Sequence, residues 1–332
     1  MKRTQFLSVW VVGLSLAAPA AVSAADGPYK LLREIPVGGA SSWDYASVDP
    51  EGRRLYVSHG TEVAVIDLDK DTVAGVISNT PGVHGIAIAA DLGRGVTSNG
   101  RENKAGIFDL KTLAPITKVD TGANPDGLVY EPGQHEVYLF NGRDNSATVI
   151  DVKNAKVVAT VALGGKPEFP TADAQAGRVY DNLEDKSAVA VIDAKTHTLV
   201  GTWPAAPGEE PSGMAIDTVH HRLFLGCGNN LMVMMDSTSG KVVATVPIGP
   251  RVDANGFDPG TQLAFASCGD GTTTIAHEDS PDKLTVVQTL KTESGARTMT
   301  LDPTTHKLYL AVGQRNGPAN NFKVLVYEMQ KP

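Results

Sequence analysis

The sequence predicts an all-β protein, a seven-bladed β-propeller of four-stranded blades, and three observations carry that expectation. First, an apolar residue followed by an acid closes an alternating run at Ile66-Asp67, Phe108-Asp109, Ile150-Asp151, Ile192-Asp193 and Met235-Asp236, with weaker copies at His277-Glu278 and Tyr327-Glu328. These acids recur every 42 or 43 residues as far as Glu278, and the last step is 50. Second, an earlier acid keeps the same register at Asp49, Glu131, Asp173, Asp217, Asp258 and Asp302, with Ala89 in unit two. Third, 34 Gly and 20 Pro among 332 residues, with no collagen-like period, suit many short strands better than long helices. Four strands every ~40–45 residues is the period of a propeller blade.

The chain opens on a different kind of segment. Lys2 and Arg3 precede an apolar run from Phe6 to Ala18, and Val22-Ser23-Ala24 supplies small residues for cleavage. That order reads as a secretory signal peptide over residues 1–24, which implies a periplasmic protein, or an extracellular one outside a Gram-negative host. The apolar run is shorter than the ~20 residues of a spanning helix. No stable membrane insertion is expected once it is removed. Residues 25–332 then form one propeller domain.

Unit three shows the four strands most clearly. Gly127 to Tyr130, Glu136 to Phe140, Ala147 to Ile150 and Val157 to Val161 are rich in β-branched and aromatic residues. Pro132-Gly133, Asn141-Gly142 and Asn154 supply turn chemistry between them. The seventh unit ends four residues after its third strand, whereas Tyr29 to Val37 resembles a fourth strand. The N-terminal strand is therefore expected to complete blade seven and close the ring, removing the unpaired edges an open sheet would leave.

Leu55-Tyr56-Val57-Ser58, Val137-Tyr138-Leu139-Phe140-Asn141 and Leu308-Tyr309-Leu310-Ala311, with Val63-Ala64-Val65-Ile66-Asp67 and the openings Pro125-Asp126-Gly127 and Pro211-Ser212-Gly213, resemble the YVTN-repeat (YncE-like) propellers. The resemblance covers residues 29–329. It implies an exported seven-bladed ring with a ligand-binding or DNA-binding role, and relatives of the same architecture carry lactonase or lyase chemistry. Asn141 and Asn182 keep the family asparagine, while His59, Cys227, Cys268 and Val312 replace it.

Composition narrows the function classes. With 42% apolar and 20% charged residues the chain is an ordinary globular protein. The formal charge of −8, which becomes −10 without Lys2 and Arg3, argues against a polyanion binder. Arg101, Arg143, Arg251 and Arg315 lie near the expected channel mouth and keep single-stranded DNA as a minor alternative. No HExxH, CxxC, GxSxG or Walker motif is present.

Candidate site residues follow from the repeat register. The residue opening each inner strand is Asp44, His84, Asp126, Glu168, Ser212, Asp253 and Arg297. Four carboxylates, an imidazole, a hydroxyl and a guanidinium converging on one axis suit a small polar ligand, a cation or a partner protein. Arg297 would hold a carboxylate, His84 would shuttle protons, and Asp126, Glu168 and Asp253 would coordinate a divalent cation. Trp43, Tyr45 and Phe169 add aromatic surface, and Phe169 would floor a pocket or fill an over-wide channel. A second ring at the end of each second strand holds His59, Asn99, Asn141, Asn182, Cys227, Cys268 and Val312. Equivalent points on a sevenfold ring of radius ~8–10 Å stand roughly 7–9 Å apart, at the limit for a disulfide. Cys227 and Cys268 are thus a bridge, a soft-metal or redox pair, or plain buried thiols. His135, His197, His220, His221 and His306 fall in turns and read as solvated surface. A non-enzymatic binding role leads; a channel-mouth lactone hydrolase or lyase, metal-assisted or not, is the alternative.

Overall fold

The computed structural model describes residues 27–39, 42–313 and 320–330; the signal-peptide segment and Arg315 lie outside the described residues. Seven four-stranded antiparallel sheets are arranged in chain order, with two short 3-10 turns as the only helical pieces among the described residues. Blade one runs Ala46–Asp49, Arg54–His59, Glu62–Asp67 and Thr72–Ile77. The first strands of blades two to seven are Val83–Ala89, Pro125–Glu131, Pro167–Asp173, Pro211–Asp217, Val252–Asp258 and Thr298–Asp302. Each first strand packs against the first strand of the next blade, and that of blade seven packs against that of blade one. The chain is a closed seven-bladed β-propeller. No described helix is long and apolar enough to cross a membrane.

The periodic acids turn the chain. Asp49, Glu131, Asp173, Asp217, Asp258 and Asp302 end the first strands, and each accepts a backbone N–H two or three residues on. Asp67, Asp109, Asp151, Asp193 and Asp236 end the third strands and do the same. The carboxylate satisfies orphan N–H groups of the turn, which is why a short acid recurs at both places. Blade six departs from the expected phase. His277, not Glu278, pairs with the first residue of its second strand, Leu263, so Glu278 falls one position later. In blades one to five that position holds the buried Leu68, Leu110, Val152, Ala194 and Ser237.

Neighbouring blades are tied at the same point, on the face away from the first-strand openings. Arg54 donates to the Leu110 carbonyl and Arg94 to that of Val152. Tyr138 Oη donates to Ala194 and Tyr180 Oη to Ser237. Apolar clusters fill each interface, as where Tyr138, Phe140 and Val149 of blade three meet Val179, Ala190 and Ile192 of blade four.

Closure follows the expected topology. Tyr29–Pro36 pairs antiparallel with Lys323–Met329, from Tyr29 opposite Met329 to Pro36 opposite Lys323. Blade six clasps the incoming strand: the Tyr29 N–H donates to Gln288 Oε1 at 2.9 Å, and Gln288 Nε2 donates back to the Tyr29 carbonyl at 2.9 Å. The Tyr29 ring is fully buried, meets Phe265 edge-on at 5.4 Å, and donates its hydroxyl to the His306 carbonyl. Tyr29→Ala is expected to lose about 3–5 kcal/mol, the range for emptying a buried aromatic site. Deletion of residues 29–37 is expected to lower the melting temperature of the whole ring in a single transition. A deletion variant melting at the wild-type temperature would contradict this closure.

Candidate functional site at the channel mouth

The first strands run from one rim toward the axis, so their opening residues gather at one end of the channel. His84 Nδ1 lies 2.6 Å from Asp44 Oδ2 and 3.5 Å from Asp126 Oδ1, which links blades one, two and three. Lys166 Nζ lies 3.3 Å from Glu168 Oε2, and Arg297 Nη1 3.4 Å from Asp253 Oδ1. Thr298 Oγ1 donates to the Asp44 carbonyl and lies 3.2 Å from Asp253 Oδ2, joining blades six, seven and one. Ser212 is half-buried in the same ring.

One residue further in, the axis is closed. Tyr45 of blade one and Phe169 of blade four meet across it with ring centroids 5.2 Å apart, and Tyr45 Oη donates to the Glu168 carbonyl at 2.8 Å. The space left among Asp44, Tyr45, Glu168, Phe169, Asp253 and Thr298 is about 10 Å3, room for one water at most. In blades two, three and five this level holds glycine. A Cβ on Gly127 would stand 2.5 Å from the Glu168 carbonyl oxygen, and one on Gly85 2.2 Å from the Leu128 side chain. The mouth is therefore a charged bowl on an aromatic floor, not an open pore. Beside it, Trp43, Arg251, Arg297 and the glycines 269, 295 and 313 line a cleft of about 300 Å3.

Burial and mutual charge set the protonation states. Burial, with the neighbouring Asp126, pushes Glu168 up to about 7 against the pull of Lys166. Burial raises Asp126 to about 6 despite His84, and raises Asp253 to about 6 despite Arg297. Burial alone would lower His84, but the Asp44 hydrogen bond and the Asp126, Asp44 and Glu168 charges more than offset it and its pKa rises. The Tyr45 phenol is held well above its usual value by burial and by Asp126 and Glu168.

The second ring stands apart from the bowl. Asn99, Asn141 and Asn182 have no exposed surface. Their amides bond within the ring of blades: Asn99 to Glu102, Asn141 to Ser146 and Thr148, and Asn182 to the Gly213 carbonyl. They clamp loops and offer a ligand no surface in this conformation. His59 stacks on Phe322 at 4.8 Å and lies 3.4 Å from Glu62. Val312 is buried in the interface between blades six and seven. Cys227 and Cys268 are free, fully buried thiols, so no bridge joins them. Each packs into an apolar cluster and points its sulfur at a carbonyl two residues back. The cation set expected from the sequence also changes. Among the described residues the mouth brings Asp44, His84 and Asp126 within ion-holding distance of one another, and neither Glu168 nor Asp253 belongs to that group.

A further set escaped the sequence reading although it lies in the same repeat register. The residue before each second-ring position is Ser58, Ser98, Asp181 or Ser267 in blades one, two, four and six, and all four are fully buried. Ser98 Oγ accepts from the Gly85 N–H and donates to the Asp126 carbonyl of the next blade. Ser58 accepts from the Asp44 N–H, and Ser267 donates to the Arg297 carbonyl. These hydroxyls fix the backbone that carries the bowl. Asp181, whose carboxyl burial and the Glu168 charge push well above the usual carboxylate range, takes the serine's place behind Glu168. Nor are the turn histidines all free in solvent: His135, His197 and His306 lie 2.7–2.8 Å from Asp91, Glu136 and Asp258, and His220 lies 2.7 Å from Asp217.

Comparison with known proteins shows the class and stops there. No family model matches the chain, and no curated protein matches it. Solved structures share the architecture. The WD40 repeats of RRP9 superpose with a TM-score of 0.78 at 13% identity, covering 92% of this chain and 99% of that one. A chain of a mitotic checkpoint complex gives 0.79 at 15% identity, covering 98% and 100%. A chain of Kuenenia stuttgartiensis hydrazine synthase gives 0.74 at 15%, covering 93% and 98%. The protein is a seven-bladed β-propeller with WD40-like structural neighbours.

Two outcomes are expected from these environments. Glu168 and Asp253 bind protons more tightly folded than unfolded, where Asp and Glu titrate near ~4. Their contribution is therefore present below about pH 4 and is lost as pH rises through about 6 to 7. Glu168→Gln should raise the melting temperature relative to wild type at pH 8 and leave it unchanged at pH 4; an equal difference at both values would refute the assignment. Burial pushes Cys227 and Cys268 up to about 12. A thiol reagent at pH 8 should therefore find no reactive cysteine in the native protein and two after denaturation.

Proposed function

We propose that the chain is an exported binding propeller whose channel mouth takes a small zwitterionic ligand. The observation that carries this reading is the presence of carboxylates and guanidinium groups together at one mouth. Asp44, Asp126 and Glu168 stand above the Tyr45–Phe169 floor, and Arg297 with Arg251 borders the cleft beside Trp43. An ammonium group over an aromatic floor ringed by carboxylates gains both ion-pair and cation–π attraction. The ligand's carboxylate would pair with the Arg297 guanidinium, which Asp253 touches from one side only and at 3.4 Å. A dianion would meet the acids and be repelled. For the same reason single-stranded DNA fits poorly at this mouth.

A second reading rests on the convergence of Asp44 and Asp126 on one ring nitrogen of His84. A divalent cation could replace the Nδ1 proton there, with two carboxylates neutralising it. The same acid-held imidazole is what a lactone hydrolase or lyase would use as its base. A partner protein seated on the rim agrees with the occurrence of the fold in a multi-protein complex such as the checkpoint assembly, at the level of fold alone.

Export is supported by the tripartite N-terminus, and mass spectrometry of protein from the periplasmic fraction should find a chain beginning near Ala25. Calorimetric titration with a panel of free amino acids and betaines tests the ligand. Arg297→Ala should weaken a zwitterion by up to about fivefold, since the Arg297 side chain is 42% exposed and such a pair contributes ~0.2–1 kcal/mol, and should leave Zn2+ affinity unchanged. Full affinity in an Arg297→Ala, His84→Ala, Glu168→Gln triple variant would place the site elsewhere. Lactone turnover abolished by His84→Ala would favour the enzymatic reading.

A further inference from the structure

The face opposite the mouth carries a second constellation, at the junction of blades five and six. Asp217 ends the first strand of blade five, is buried, and caps its turn through Oδ1, which accepts the Val219 N–H. Its other oxygen lies 2.7 Å from His220 Nδ1. Glu278 reaches the same nitrogen from blade six, with Oε1 at 3.4 Å. The ligating atoms of the three side chains lie within 4.8 Å of one another.

Glu278 is the anomalous member. It has no exposed surface, and neither of its carboxylate oxygens accepts a hydrogen bond. Its position is the one filled by Leu68, Leu110, Val152, Ala194 and Ser237 in other blades. The third strand of blade six runs on to Ser280, which shifts the register that ends with an acid elsewhere. The tie to blade six is made by Arg222, which donates to the Pro281 carbonyl and not beside Glu278. Phe224 occupies the place of Tyr138 and Tyr180 and has no hydroxyl to offer the next blade's carbonyl. The nearest strong cation is committed elsewhere, since Arg222 bonds Asp236, Asp282 and the Pro281 carbonyl. A buried carboxylate without a donor is costly unless a cation compensates it.

His220 also differs from the other turn histidines. His135, His197, His221 and His306 stand at left-handed positions closing their turns, a conformation histidine tolerates. His220 is absent from that set, and its ring points at two acids. Its side chain is 29% exposed, which leaves a solvent-facing side to the cluster.

We propose that Asp217, His220 and Glu278 form a binding site for a first-row divalent transition metal, bridging blades five and six. One imidazole nitrogen with two carboxylates is a borderline donor set of the kind Zn2+ accepts at 2.0–2.2 Å, and the exposed side would hold water or a carboxylate from a binding partner. The metal would take the place of the proton on His220 Nδ1 beside Asp217, and it would neutralise Glu278, whose oxygens accept no hydrogen bond. This site is separate from the mouth and does not depend on the reading given for it.

The test uses the full mature chain freed of metal by chelation, with Zn2+ as the probe in calorimetric titration. His220→Ala and Glu278→Gln should each weaken one Zn2+-binding event at least tenfold, while His84→Ala at the mouth should leave that event within twofold of wild type. Glu278→Gln keeps shape and volume, so it is expected to fold, and circular dichroism on the same samples checks this. In Co2+-loaded protein the visible d–d bands should disappear with His220→Ala and persist with His84→Ala. Wild-type Zn2+ affinity and stoichiometry in both His220→Ala and Glu278→Gln would overturn the site, as would the absence of any Zn2+ binding by the wild-type chain. Zn2+ binding lost only with His84→Ala would overturn it too, while leaving the mouth reading intact.

Discussion

Seven first strands must meet around one axis, and most of the molecule's particular choices answer to that crowding. Strand pairing inside a blade is local and tolerant. Contact between blades is not, because each first strand approaches the next within backbone distance. Hence Gly85 and Gly127, where a single Cβ would strike the adjoining blade. Hence also the buried serines, which tie one blade's second strand to the next blade's opening residue. The ring holds only if it closes. Tyr29–Pro36 closes it by giving blade seven its fourth strand and giving Gln288 of blade six a backbone to grip on both sides.

The same crowding makes the functional surface. Opening residues delivered to one axis are forced together whatever their charge, so Asp44, His84, Asp126 and Glu168 share a space that none would occupy alone. Desolvation and mutual repulsion then raise the proton affinity of Asp126 and Glu168, against the pull of His84 on the first and Lys166 on the second. Tyr45 and Phe169 stop the axis just below, which converts a channel into a bowl and keeps bulk water from screening the ring from beneath. A stabilising core would not carry these charges. Burying them without partners would cost several kcal/mol each, and His84, Lys166 and Arg297 supply the partners.

Charge is handled differently on the two faces. On the turn face most acids spend an oxygen on turn N–H groups, an arrangement that contributes order to the turn. Asp217 does the same with one oxygen and leaves the other to His220. Glu278, displaced by one position in a lengthened strand, has no turn to cap. Strand length in a single blade thus separates a structural acid from one available for other chemistry.

The repeat period, the blade count, the turn acids and closure by the N-terminal segment were legible in the sequence because each is a local pattern read seven times. The membership of the mouth ring was legible for the same reason: residues in one register of a closed ring share one axis. Partnership within a register was not legible. Sequence places Asp126, Glu168 and Asp253 as equivalents, but only the fold decides that His84 Nδ1 lies near both Asp44 and Asp126. Likewise Asn99, Asn141 and Asn182 share a register with an expected mouth, and the side chains turn inward, where their amide N–H groups find acceptors inside the ring of blades. Cys227 and Cys268 occupy equivalent positions in adjacent blades, yet each packs into its own apolar cluster. The one-residue slip at His277-Glu278 is invisible to a period count and decisive in space. Spacing along the chain fixes which ring a residue belongs to, whereas distance across blades depends on how seven separately twisted sheets pack, and that was decided only by the tertiary structure.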